Sequence, residues 1–316
     1  MRTIVVGALC MSLLMACENQ DFKGNEEIPG NNLRVEAEIA ASGAHLSRTS
    51  TTESGTVTFA SGDRIGFYMP EDEQSGAWTF VDEVWTSDKT YSWSDKAQTY
   101  NFCAYYPFTA SEARTAITMP DLSTQTGTLA GLKTLDFLAA RCEASYSTKS
   151  GVVSFTGEQS FKHVYAMMVV NLRTNAETKG SVLTDLTLKS EGIVSPHTYH
   201  FGMFAEGDGM TLAGGAVGEL ALSNLETEIT TLGIKQYLIV NPLPKMQDVE
   251  ITIQYTREGQ TYTASTKVSA ATVQEGNLNK LNILVKKSGL VIEGNTVEDW
   301  TENDLGDLSV EENKVS

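Results

Sequence analysis

The residue types that could carry chemistry in this chain are few and poorly grouped. Histidine occurs only at 45, 163, 197 and 200, and none stands at a spacing to cysteine that would close a zinc site. His197 and His200 come nearest to a ligand pair, yet a separation of three on a strand sends two side chains to opposite faces. His163, between Phe161 and Tyr165, reads as a core or edge residue. Phosphate-cradling loops, dinucleotide-binding glycines and a Gly-x-Ser-x-Gly elbow are all missing from the sequence. Gly207-Asp208-Gly209 reads as a turn and not a calcium loop, because Ala205 cannot ligate. Carboxylates are so frequent that a glycosidase pair could be drawn anywhere, which makes any one pair uninformative. The expectation is a protein with no catalytic residues, no metal and no cofactor.

Two groupings do stand out. Trp78, Trp85 and Trp93 fall among Asp82, Glu83, Asp88 and Asp95. Indole faces stack on sugar rings while carboxylates take hydroxyl hydrogen bonds, so these tryptophans are candidate glycan contacts. The other reading is that they fill or cap a core. Cys103 and Cys142 each lie in a strand-like run, and the two either form a disulfide across one sheet or remain buried thiols.

The elements that must position these residues are strands. Ser, Thr and Gly are frequent, and the apolar residues fall in short runs rich in Val, Ile, Tyr, Phe and Thr, which suit a pleated, half-buried surface. At 316 residues the chain has room for two domains. Its 23 Lys+Arg against 40 Asp+Glu give a formal charge of -17, which repels phosphate backbones and argues against nucleic-acid binding.

Residues 1–16 read as a targeting segment: a positive start at Arg2, an apolar stretch from Ile4 to Leu14, then small residues before Cys17. The end, Leu14-Met15-Ala16-Cys17, resembles the lipobox of bacterial lipoproteins, which implies cleavage before Cys17 and lipidation of its thiol. Residues 17–32 are polar, with Gly, Pro and Asn, and read as a flexible tether. Then Leu33, Val35, Ala37 and Ile39 alternate with Arg34, Glu36 and Glu38, the mark of a strand with one buried face. A Ser/Thr-rich loop containing Arg48 follows. Further strands are expected over 64–69, 77–81, 100–106, 135–143 and 152–155, and a second group over 161–172, 183–188, 236–240, 249–255, 261–268 and 278–285. The division is expected near 156, giving one sandwich over 33–156 and another, with an acidic tail, over 157–316.

In order along the chain stand the lipobox, the alternating strand, Arg48, Ser61-Gly62-Asp63-Arg64-Ile65-Gly66-Phe67-Tyr68 and Tyr100-Asn101-Phe102-Cys103-Ala104-Tyr105-Tyr106-Pro107. Asp136-Phe137-Leu138, Phe161-Lys162-His163 and Glu275-Gly276-Asn277 complete the series. Together they resemble the fimbrillin-like (Mfa-like) lipoproteins of Bacteroidales. That resemblance implies an all-β chain of two tandem transthyretin-like Greek-key sandwiches that builds type V pili. It also implies a lipid-anchored precursor at the outer membrane, surface-exposed, and removal of the first strand by an Arg/Lys-specific protease. Another subunit's strand would then enter the vacated groove, and host or bacterial surface ligands are further expected partners. Arg48 is the candidate cleavage position, and the C-terminal region around Leu290-Val291-Ile292 and Val297–Trp300 the candidate donor. The alternative is a surface lipoprotein that binds glycans through Trp78, Trp85 and Trp93 and never polymerises.

Overall fold

The structure, a computed structural model, describes residues 32–40, 58–202, 207–243 and 245–299. The first half supplies β1 (Arg34–Ala37), β2 (Arg64–Tyr68), β3 (Gly76–Val81), β4 (Val84–Thr86), β5 (Thr99–Tyr106), β6 (Ile117–Thr118), β7 (Leu138–Ser145), β8 (Val152–Phe155) and β9 (Lys162–His163). Six of these form one sheet in the order β4-β3-β2-β5-β7-β9, while β1 and β8 make a separate two-stranded sheet. The β3–β4 hairpin turns on Asp82 and Glu83, at φ 48° and 66°, the left-handed pair that a tight two-residue loop requires.

Between the two sheets lies an aromatic core that includes Phe59, Phe67, Trp78, Trp85, Trp93, Phe102, Phe155 and Phe161. The opposite face of the six-stranded sheet is also covered: Tyr68, Cys103, Tyr105 and Ala139 join a second core. Burial on both faces explains why Phe102 to Tyr106 reads as an unbroken apolar run and not an alternating one. Close packing there requires glycine at 66, where an added Cβ would lie 2.1 Å from the Tyr105 ring.

The second half contributes β10 (Ala166–Thr174), β11 (Val182–Lys189), β12 (His197–His200), β13 (Gly209–Leu212), β14 (Glu219–Leu222), β15 (Thr227–Glu228), β16 (Ile234–Val240), β17 (Gln247–Arg257), β18 (Gln260–Ala271), β19 (Asn277–Lys286) and β20 (Gly289–Asp299). One sheet runs β16-β10-β19-β20 and another β14-β11-β17-β18, with β15 beside β11. Met167, Met168, Val169 and Val170, whose apolar run fits helix or strand, lie buried in β10 between an antiparallel β16 and a parallel β19. Leu183, Leu186 and Leu188 of β11 and Val249, Ile251 and Ile253 of β17 face the same core. A small sheet, β13-β12-β6, binds the halves together because β6 belongs to the first and β12 to the second. The chain is thus nearly all β, and among the described residues no helix is long and apolar enough to cross a membrane.

The run from 161 to 172 is broken where the chain changes sheets. β9 pairs with β7, and β10 begins three residues later in another sheet. Val164 N donates to Phe137 O at 3.0 Å and the Tyr165 hydroxyl to Pro120 O at 3.0 Å, which holds the crossover. Beside it His163 Nδ1 and Asp136 Oδ2 are hydrogen-bonded at 3.0 Å, with 3% and 0% exposure. Removing one member of such a buried pair leaves the other desolvated. Asp136→Ala should therefore lower stability by about 3 kcal/mol, read as a shift in urea midpoint, whereas a change under 0.5 kcal/mol, the level of an ordinary surface site, would contradict this role.

Candidate functional site: the seat of the first strand

The alternation of residues 33–39 becomes a geometry in which one row is buried and the other is wet. Leu33, Val35 and Ile39 are 5%, 6% and 5% exposed, Ala37 is half-buried, and Arg34, Glu36 and Glu38 face solvent. β1 pairs in parallel with β8, in the register Arg34↔Val152, Val35↔Val153, Glu36↔Ser154 and Ala37↔Phe155. The ladder continues beyond the strand, since Glu38 N donates to Phe155 O at 2.9 Å and Ala40 N to Phe161 O at 2.8 Å. At the other edge, Leu33 N donates to Tyr91 O at 2.8 Å and Asn32 bridges Ser92. No further strand pairs with β1 among the described residues.

Apolar burial and backbone bonds supply most of the hold. Full burial of three such side chains contributes about 5–9 kcal/mol, comparable to the net stability of a whole domain. The wet row adds weaker contacts: Arg34 Nη2 donates to Ser150 O at 3.1 Å, and the Ser154 hydroxyl donates to Glu36 Oε2 at 3.4 Å. Exposed contacts of this kind add little. A seat of this kind selects for alternation and backbone shape, not for one particular side chain.

Trp78, Trp85 and Trp93 belong to the same buried core, which corrects their reading as glycan contacts. They are 5%, 6% and 2% exposed. Trp78 stacks on Tyr91 with centroids 5.6 Å apart, Trp85 meets the edge of Phe59 at 5.0 Å, and Trp93 Nε1 donates to Gly151 O at 3.0 Å. Their faces are covered by protein, so no sugar can stack on them. The acidic neighbours that suggested a surface lie at the outward positions and turns of the same segment.

Cys103 and Cys142 lie on adjacent strands, but the register opposes Cys103 to Arg141 and Phe102 to Cys142. Displaced by one residue, the two thiols face opposite sides of the sheet, Cys103 in the second core and Cys142 in the aromatic core. The disulfide reading is corrected: both are free and buried. Desolvation pushes the Cys103 thiol up to about 11 and that of Cys142, with help from Cys103, up to about 12. In a chain beginning after Cys17, both thiols should resist a thiol reagent at pH 7 while folded and both should react once unfolded without reductant; no reactive thiol after unfolding would show a disulfide instead.

Cys17, Arg48, His45, residues 1–31 and the tail from 300 onward lie outside the described residues. His197 and His200 stand on β12, His197 Nδ1 lying 2.8 Å from Ser195 O. Among the described residues no three His, Cys, Asp or Glu side chains cluster as a metal site would need. Leu290 and Ile292 on β20 pack onto their own chain's second core, while Val291 and Val297 are exposed. Among the described residues β20 pairs only with β19, which makes it an edge strand there.

These features define a β-sheet protein whose most distinctive site is the seat of its own first strand. The model of the fimbrillin-like family matches residues 47–300, and the chain belongs to that family. Its fold is similar to that of a candidate cell adhesion protein from Bacteroides uniformis, 20% identical, with a TM-score of 0.58 over 85% of this chain and 98% of that one. A second candidate cell adhesion protein, from Bacteroides ovatus, is 14% identical, with a TM-score of 0.53 over 86% and 98% of the two chains. No curated protein sequence matches it.

If the inward row alone holds β1, Ile39→Ala should cost about 2–5 kcal/mol and Glu36→Ala less than about 0.5 kcal/mol in chemical denaturation. Equal effects from the two substitutions would contradict the assignment.

Proposed function

We infer that this member of the fimbrillin-like family is a fimbrial or adhesive subunit of the cell surface that works with other fimbrial subunits. We propose, beyond this, that it is exported as a lipoprotein through Cys17, held at the outer membrane, and assembled by loss of its first strand and entry of a neighbour's. The observation that carries the proposal is the seat of β1: three buried side chains on and beside a strand that, among the described residues, pairs with β8 alone.

The covalent arrangement supports exchange. Arg48 is the sole Lys or Arg between Ala40 and Thr58, so one cut by an arginine-specific protease would detach β1 and the Cys17 anchor together. The emptied seat would expose β8's backbone edge and the floor of the aromatic core, and a replacement strand with alternating apolar residues would recover both. The C-terminal region supplies the candidate donor, because β20 lies at a sheet edge among the described residues. Surface ligands of host or bacterial origin are the expected targets of the assembled protein.

Limited digestion with an arginine-specific protease should give a fragment beginning at Thr49 and ladders of oligomers on size-exclusion chromatography, and Arg48→Ala should abolish both. A stable monomer after complete cleavage at Arg48 would contradict the role as a polymerising subunit.

A further inference from the structure

Where β7 and β9 meet β12 and β13, a crevice of about 300 Å3 opens at the junction of the two halves. Its volume is at the lower end of the range of small-ligand sites, which favour such junctions. We propose that this crevice binds a neutral, polyhydroxylated sugar ring, the terminal residue of a surface glycan. The inference rests on the adhesive reading of the family and assigns the contact to residues other than the buried tryptophans.

The lining has an apolar floor and a polar rim. Ala139, Val164, Tyr199 and Met210 present carbon surface, suited to the C–H face of a pyranose. On the rim, Arg141 and Asp208 form a two-pronged pair, with Nε to Oδ2 at 2.6 Å and Nη2 to Oδ1, and Asp208 Oδ1 also accepts from Gly202 N at 2.9 Å. This fixes the guanidinium and leaves its Nη1 without a hydrogen bond among the described residues. Glu158, Gln159, Lys162 and Glu275 also line the crevice, and their side chains make no hydrogen bond or ion pair of ordinary length among the described residues. Ser160, 4% exposed, completes the polar lining.

Charge decides the ligand class. Arg141 and Asp208 neutralise each other, while Lys162 acts on Glu275, so positive and negative groups interleave around the rim. Desolvation and Asp208 push the Glu275 carboxyl up, with Lys162 opposing them. An anionic or cationic ligand would be attracted by one group and repelled by the next. Sugar hydroxyls donate to the carboxylates and accept from guanidinium, ammonium and amide, so they use all of these groups at once.

The test is binding of the mature full-length chain to an array of oligosaccharides. Neutral hexose-, deoxyhexose- and N-acetylhexosamine-terminated glycans would stand beside sialylated and uronate-terminated ones. The expected result is retention on at least one neutral glycan, reduced at least tenfold by both Gln159→Ala and Glu275→Ala, with thermal midpoints unchanged. Binding of charged glycans alone, no glycan binding at all, or binding that survives both substitutions would overturn the assignment. Neither position lies in β1 or at Arg48 in the sequence, so protease-triggered assembly is followed in parallel. A chain that assembles but binds no glycan refutes the crevice and leaves the assembly reading standing, whereas one that binds but does not assemble refutes only assembly.

Discussion

The first half of the molecule depends on an unequal closure. Opposite a sheet of six hydrogen-bonded strands, the aromatic core is covered, among the described residues, by the two strands β1 and β8. β8 is tied in by the short connection from β7, whereas β1 reaches its place from more than a hundred residues away in sequence, pairing Arg34 with Val152. Parallel pairing over that separation carries a loop-closure cost that the contacts of the strand must offset. β1 thus closes a core whose other members come from the rest of the first half.

In the proposed exchange, the second core is what would hold the remainder together. The six-stranded sheet is buried on its other face against residues of the C-terminal half, and β6 pairs across to β12. Taking away β1 uncovers one side of the sheet while the other stays packed. Local opening of this kind, confined to a unit with few partners, is how a folded subunit exchanges a segment without global unfolding. The same interlocking creates the crevice at β7, β9, β12 and β13, since two sheets that meet at an angle leave a gap lined by the side chains of both.

The inward row of β1 was legible in the sequence because a period of two is local information, and Leu33, Val35 and Ile39 needed no partner to be recognised. Its partner β8 was not legible: the run Val152–Phe155 marks a strand, but nothing in it specifies parallel pairing with residues 34–37. Register was equally hidden. Cys103 and Cys142 do lie on neighbouring strands, yet a one-residue offset decides which face each thiol occupies. The tryptophans misled for a related reason, since a short hairpin such as β3–β4 places polar residues beside every inward ring, and local polarity then imitates a surface site. The crevice had no local signal at all, its rim being drawn from positions as distant as 141, 162, 208 and 275.

The central claim is that β1 is a replaceable occupant of a preformed seat. It is tested most directly by supplying the strand in trans: a chain beginning at Thr49 is mixed with a synthetic peptide of residues 33–40, and its thermal unfolding and hydrogen exchange along β8 are followed. The account requires that the peptide raise the midpoint and protect the amides of residues 152–155, and that a peptide with Val35→Asp fail to do so. A shortened chain already as stable and as protected as the intact one, and indifferent to the peptide, would contradict it.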